Sequence, residues 1–182
     1  MAIRDEAARS RGPRSLAARL ARRDLPFFLL AGGVFALDQA TKAVIRGSLA
    51  LGESWPNDGW LVKITHVTNT GAAFGILQGQ GLFLTITAFF ALGAIVFYYA
   101  FPPFEHGLLR LALGLQLGGA VGNLIDRLRF GEVTDFISFP HYPAFNVADS
   151  SIVVGLAVIV GFFFLNGDRV NAPVPEADVN AD

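Results

Sequence analysis

The residues able to do chemistry are gathered in one stretch of the chain. In "GNLIDRLRFGEVTDFI", from Gly122 to Ile137, Asn123, Asp126, Arg127 and Asp135 follow closely, and "FNVADS" then adds Asn146 and Asp149. Two carboxylates within a few ångströms of each other cannot both ionise cheaply, so one pKa rises and they share a proton. The ionised member of such a pair activates water, while the protonated member serves the carbonyl oxygen or the leaving nitrogen. That is peptide hydrolysis without a covalent intermediate. Carboxylates of this kind also mark proton relays in membranes, so a small four-span transporter or proton-conducting protein is the rival reading. The residue types alone leave both open.

Other chemistries lack their parts. The chain has no cysteine, so thiol nucleophiles and disulfides drop out. No Ser-His-Asp order, His-Glu-x-x-His or Walker motif occurs. His66, His106 and His141 are scattered without ligand spacing and read as ordinary surface or loop residues. A hard cation asks for several oxygens from one loop, which Asp126, Asp135 and Asp149 do not supply. No metal and no cofactor is expected.

Each polar residue also has a plain structural explanation. Asn123, Asp126 and Arg127 are spaced i, i+3 and i+4 and share a helix face. Arg127 either snorkels at the helix end or reaches Asp126 or lipid headgroups. Asp126 is expected to hold that guanidinium off the reacting groups. Asp149 precedes an apolar run and makes a good N-cap, but Asn146 suits the same place. Two candidate caps for one helix imply another task for one of them. Asp135 sits in a strand-like stretch, where most aspartates are merely solvated. Asp38 and Lys42, spaced i, i+4 in an apolar run, are functional candidates by default or an ion pair that orients the helix.

The elements that must position these groups are set by hydropathy. The 182 residues are 53% hydrophobic and 16% charged, with mean hydropathy +0.49, whereas soluble domains carry about 25% charged residues. Four stretches approach the roughly 20 apolar residues of a membrane span: Pro26 to Ile45, Gly81 to Phe101, Gly107 to Leu128 and Val147 to Gly167. The expected fold is an all-α polytopic membrane protein of four transmembrane helices with a small β-like extracytoplasmic patch. An uncleaved first helix is favoured over a secretory signal because three further spans follow. Ahead of it stand Arg4, Arg9, Arg11, Arg14, Arg19, Arg22 and Arg23. Nucleic-acid binding is one reading of this run, and the favoured one is an orientation signal that keeps it cytoplasmic. Both termini then lie inside, and the loops 46–80 and 129–146 face outward. The division is a 1–25 Arg-rich extension, a 26–166 membrane domain and a 167–182 polar tail, expected to be disordered. "LVKITHVTN" and "EVTDFISF" alternate with the period of strands. Gly114, Gly118 and Gly122 recur every four residues, a small-residue face for close helix packing.

Five motifs occur in order: "DQATK" (Asp38 to Lys42), "NTGAAFG" (Asn69 to Gly75), "GNLIDR" (Gly122 to Arg127), "VTDFI" (Val133 to Ile137) and "FNVADS" (Phe145 to Ser150). Together, over roughly residues 26–166, they resemble lipoprotein signal peptidase, or signal peptidase II, of bacterial inner membranes. The resemblance implies a membrane-embedded aspartic endopeptidase. Its substrate would be a prolipoprotein bearing a diacylglyceryl-modified cysteine, cut just N-terminal to that cysteine. It places the catalytic pair on Asp135 and Asp149 and the supporting or substrate-binding residues on Asn69, Gly71, Asn123, Asp126, Arg127 and Asn146. It gives Asp38 and Lys42 a structural role. It also implies inhibition by the cyclic peptide globomycin and contact with membrane lipids. A lipid-modified substrate that arrives from the bilayer then calls for a site near the outer face, with the sheet-like patch and the "NTGAAF" turn expected as a lid or cradle over it. Nucleic acid has no part in it.

Overall fold

A computed structural model of the chain describes residues 16–56, 59–71, 79–102 and 106–170, with side chains from 24 to 166. The extension before residue 16, the tail after 170, most of the "PPFEH" turn and most of the "NTGAAFG" motif lie outside the described residues.

Four helices account for the membrane part: α1 (Leu16–Ser48), α2 (Gly81–Ala100), α3 (Gly107–Phe130) and α4 (Val147–Val170). Each contains a stretch long and apolar enough to cross a bilayer: Asp24–Ser48, Gly81–Ala100, Gly107–Phe130 and Val147–Asn166. The chain is a multi-pass membrane protein. α1 starts well before the apolar run and passes through Pro26, because the Ala, Leu and Arg residues ahead of it are strong helix formers.

Between α1 and α2 come β1 (Ser54–Trp55) and β2 (Lys63–Asn69), and between α3 and α4 come β3 (Val133–Phe139) and β4 (Tyr142–Phe145). They form one antiparallel sheet in the order β1-β2-β3-β4. Chain order alone therefore puts the sheet at one end of the bundle, above the last turns of α1 and α3 and the first turns of α2 and α4. Both alternating stretches form strands. β4 adds a strand beyond those two stretches, and its Pro143 is tolerated because β4 is an edge.

The burial pattern is inverted relative to a soluble protein. Large apolar residues face outward, such as Leu82 and Phe90 on α2 and Phe164 and Leu165 on α4. α2 has no buried residue at all. Among the described residues the largest fully buried side chains are Lys42, Asn146, Asp38, Asp126 and Asp135. Lipid as solvent explains this, since apolar side chains gain nothing by leaving it while polar groups must find partners inside.

α3 is the central helix, and its glycines set how closely the others approach. A Cβ on Gly118 would lie 2.5 Å from the backbone oxygen of Ala31, and one on Gly122 would lie 2.5 Å from Asp38 Oδ2, both on α1. On the neighbouring face a Cβ on Gly119 would collide with Ser151 and Ala148 of α4. The glycine face read from the sequence thus docks α1, and Gly119 extends the same device to α4. Gly131 ends α3 in a left-handed conformation, φ 77°, which glycine adopts without the Cβ penalty and which turns the chain directly into β3.

Candidate active site

Asp135 is carried by β3. Its same-face diagonal neighbour on β2 is Asn69, which pairs with Val133 in the register. Asn69 Nδ2 donates to Asp135 Oδ2 at 2.9 Å. The Gly71 backbone N–H donates to Asn69 Oδ1 at 2.9 Å, which fixes the amide with its nitrogen toward Asp135. The other oxygen, Asp135 Oδ1, accepts from Asn146 Nδ2 at 2.6 Å. Asp135 is 2% exposed, so this carboxyl meets protein amides in place of bulk water.

Asp149 lies in the first turn of α4. The Asp149 N–H donates to Asn146 Oδ1 at 2.9 Å, and the Asn146 N–H donates back to Asp149 Oδ2 at 3.2 Å. This reciprocal arrangement is a capping box. It resolves the competition between two caps: Asn146 is the cap, and Asp149 keeps Oδ1 for a donor from another helix. That donor is Asn123 Nδ2 at 2.8 Å.

Asn146 is therefore the bridge between the acids. One end of its amide holds Asp135, and the other holds the backbone of Asp149. Burial, followed by the neighbouring charge of Asp149, pushes Asp135 up to about 7. The Asn69 and Asn146 donors and the Lys42 charge oppose that rise. A carboxyl poised there keeps its proton at pH values where an ordinary aspartate has lost it.

Beneath the acids lies a buried ionic cluster. Lys42 Nζ meets Asp38 Oδ2 at 2.9 Å and Asp126 Oδ2 at 3.1 Å, with all three side chains fully buried. Asp38 Oδ1 also accepts from the Ala148 N–H at 3.0 Å, so α1 helps to cap α4. The expectation that Asp126 restrains Arg127 is corrected. Asp126 instead accepts from Thr134 N–H at 3.2 Å and Gln39 Nε2 at 3.2 Å, and faces Arg46 at 3.7 Å. Adjacent helix positions point about 100° apart, so consecutive residues do not face each other. Arg127 turns instead to the cavity that Asp135 and Asp149 also line.

Gln39, Arg46 and Thr134 were missed in the sequence. Arg46 donates to Thr134 Oγ1 at 2.9 Å and stacks 4.7 Å from the Phe130 ring centroid, tying the end of α1 to the start of β3. The stripe Asp38, Lys42, Arg46 at i, i+4, i+8 was the available signal. His106 caps α3, its ring accepting from Leu108 N–H at 3.2 Å, a role that its isolated position in the sequence did not reveal.

The cavity over the acids has a polar wall of Asn69, Asn123, Arg127, Asp135 and Asp149 and an apolar wall that includes Tyr142, Phe145 and Val153. An adjoining, mostly apolar groove shares Asp149 with it and is lined by Phe139, Tyr142, Phe145, Val153 and Val154, with Ser150. Val153 and Val154 are themselves exposed on the outward face of α4, so the groove opens to the lipid side. Among the described residues no group of three or more His, Asp or Glu side chains is placed to hold a metal ion. The arrangement can hold a peptide bond beside two acids and an apolar chain beside the bilayer.

Known proteins share this architecture. The chain is 46% identical over 136 residues to the lipoprotein signal peptidase of Moorella thermoacetica, covering 74% of this chain and 90% of that one. It is 44% identical over 140 residues to the lipoprotein signal peptidase of Shouchella clausii, covering 76% and 90%. A solved bacterial membrane enzyme structure, obtained by the in meso method at 2.3 Å, superposes with a TM-score of 0.75 at 32% identity, over 81% of this chain and 93% of that one. The family model described as signal peptidase (SPase) II matches residues 30–165. The chain belongs to the signal peptidase II family.

Proposed function

We propose that this membrane protease removes signal peptides from prolipoproteins by cutting N-terminal to a diacylglyceryl-modified cysteine, with Asp135 and Asp149 as the catalytic pair. One observation carries the reading. Two acids from separate segments line one cavity and are joined through Asn146, and one of them is pushed up to about 7. Asp135, as the member that keeps its proton, protonates the carbonyl oxygen. Asp149, as the ionised member, takes a proton from the attacking water. Reversal of these roles delivers a proton to the leaving nitrogen as the tetrahedral species collapses. Asn69, Asn123 and Asn146 hold the carboxyl groups in place. Gly71 fixes the Asn69 amide, and the Arg127 guanidinium faces the substrate backbone. Asp38, Lys42 and Asp126 form the structural floor.

The rest of the reading follows from solvent. Acyl chains of a lipid-modified substrate stay in the bilayer and lie along the groove by Val153 and Val154, while the scissile bond reaches the acids at the sheet end. The arginine-rich end of α1 lies inside by the positive-inside rule. The sheet and the acids then face the outer surface of a bacterial inner membrane, with both termini cytoplasmic. Residues 26–166 are the peptidase domain, and the segments 1–25 and 167–182 are appended to it. Lipids surround the apolar exterior, and a globomycin-type cyclic peptide occupies the cavity. A transporter using the same carboxylates finds no support beside the family membership.

The test is cleavage by the purified protein of a diacylglyceryl-modified precursor and of the same precursor unmodified. The expected result is one cut, exposing the lipidated cysteine, only in the modified substrate and blocked by globomycin. Equal cleavage of both substrates would reject the assigned specificity.

A further inference from the structure

We propose that Lys42 is a positioning residue for the reaction, locking the Asn123 amide in the one orientation that gives its N–H to Asp149. The inference rests on the reading of Asp135 and Asp149 as the catalytic pair. An ammonium has three donors, and those of Lys42 reach three partners: Asp38 at 2.9 Å, Asp126 at 3.1 Å and Asn123 Oδ1 at 2.8 Å. Charge balance for two buried carboxylates needs only the first two. The third contact, the shortest of the set, goes to a neutral amide.

That contact decides which way the amide points. Asn123 Oδ1 accepts from Lys42 at 2.8 Å and from Asn146 Nδ2 at 3.1 Å, so both its lone pairs are used. Its Nδ2 is left to donate to Asp149 Oδ1 at 2.8 Å. Turning the amide over would set its N–H groups against the ammonium and its oxygen against the Asp149 carboxylate. Both contacts would be repulsive, and least screened at the fully buried Lys42. Asn146 is aligned by the same oxygen, and it holds Asp135. A cation on α1 thus sets both acids without touching either side chain.

The titratable and charged groups around this relay are Asp38 and Lys42 on α1, Asp126 and Arg127 on α3, Asp135 on β3 and Asp149 on α4, with Arg46 on the far side of Asp126. Removing Lys42 alone leaves Asp38 and Asp126 unbalanced and risks the fold. The double variant Lys42→Met/Asp126→Asn deletes one charge of each sign. It is compared with Asp126→Asn in cleavage of the diacylglyceryl-modified precursor by full-length protein, as kcat and KM across pH. The expected result is a kcat at least tenfold below that of Asp126→Asn, with KM within about twofold. The high-pH limb of kcat moves upward, because the Lys42 charge that opposes protonation of Asp135 is gone. A kcat and a limb equal to those of Asp126→Asn would reduce Lys42 to charge balance and overturn the proposal. If the double variant does not fold, Lys42→Arg decides. It keeps the charge, but a planar fork does not reproduce a three-way contact, so a tenfold loss of kcat in folded protein supports the lock and unchanged kcat overturns it. Asp135→Asn and Asp149→Asn run beside these. Turnover by either would reject the acid pair itself, whereas two inactive Asp variants with an unaltered Lys42 variant reject only the lock.

Discussion

Asn146 gives its side-chain N–H to Asp135 Oδ1 at 2.6 Å, and its side-chain oxygen caps the helix that begins under Asp149. One amide thereby performs a folding task and a chemical one, and its substitutions test both. Asn146→Ala removes both. The cap costs about 1 kcal/mol, and the loss of a buried donor adds to it. Asn146→Asp keeps an oxygen for the cap but replaces the donor to Asp135 with another acid. It is expected to unfold below the parent and to lose cleavage, as Asn146→Ala does, because the buried donor is lost in both and a third carboxyl now stands beside Asp135 and Asp149. Thermal unfolding and cleavage measured on the two variants check this.

Asp135 predicts how stability depends on pH. Its folded value, about 7, lies above the ordinary 3.8. The folded state therefore binds the proton more tightly, and stability falls as pH rises through that interval. Asp135→Asn removes this loss. The variant should gain melting temperature over the parent at pH 8 and match it more closely at pH 4, at roughly 2–4 °C per kcal/mol. A parent and variant with parallel pH profiles would mean that Asp135 is not held protonated by burial.

Asn69 should govern the same titration through activity. Its N–H favours the ionised form of Asp135, so Asn69→Ala raises the pKa further. The high-pH limb of cleavage then moves upward, and a pH–rate profile of the variant reads the shift directly.

The glycine contacts predict a graded packing series. Gly122→Ala places a methyl 2.5 Å from Asp38 Oδ2 and Gly118→Ala one 2.5 Å from the Ala31 oxygen. Overpacking of this kind costs about 1–3 kcal/mol. Gly33→Ala and Gly161→Ala meet nothing within 4 Å and are expected to leave stability unchanged. Melting temperatures in detergent rank the four.

Much of this was legible in the sequence because lipid imposes simple rules. Apolar length gave the four spans, the four-residue glycine spacing gave the face that docks α1, and period-two alternation gave β2 and β3. Asp38 and Lys42 were readable as a pair because i, i+4 geometry is local. The partners of Asp126 were not, since Lys42, Gln39 and Thr134 come from other elements and only the folded bundle brings them together. Adjacency in "DR" suggested a partner that helical geometry turns to another side. The twofold use of Asn146 was hidden for a related reason: a capping motif reads as complete in itself, and nothing local shows that Asp135 lies across from it.

The central claim is that Asp135 and Asp149 divide one proton-transfer task, and its most direct test is turnover of a diacylglyceryl-modified precursor by Asp135→Asn and by Asp149→Asn. Both variants should insert and fold, and each should lose cleavage by roughly 10²–10⁴-fold, the range of positioned acid–base catalysis. Near-parental cleavage by either folded variant would contradict the account.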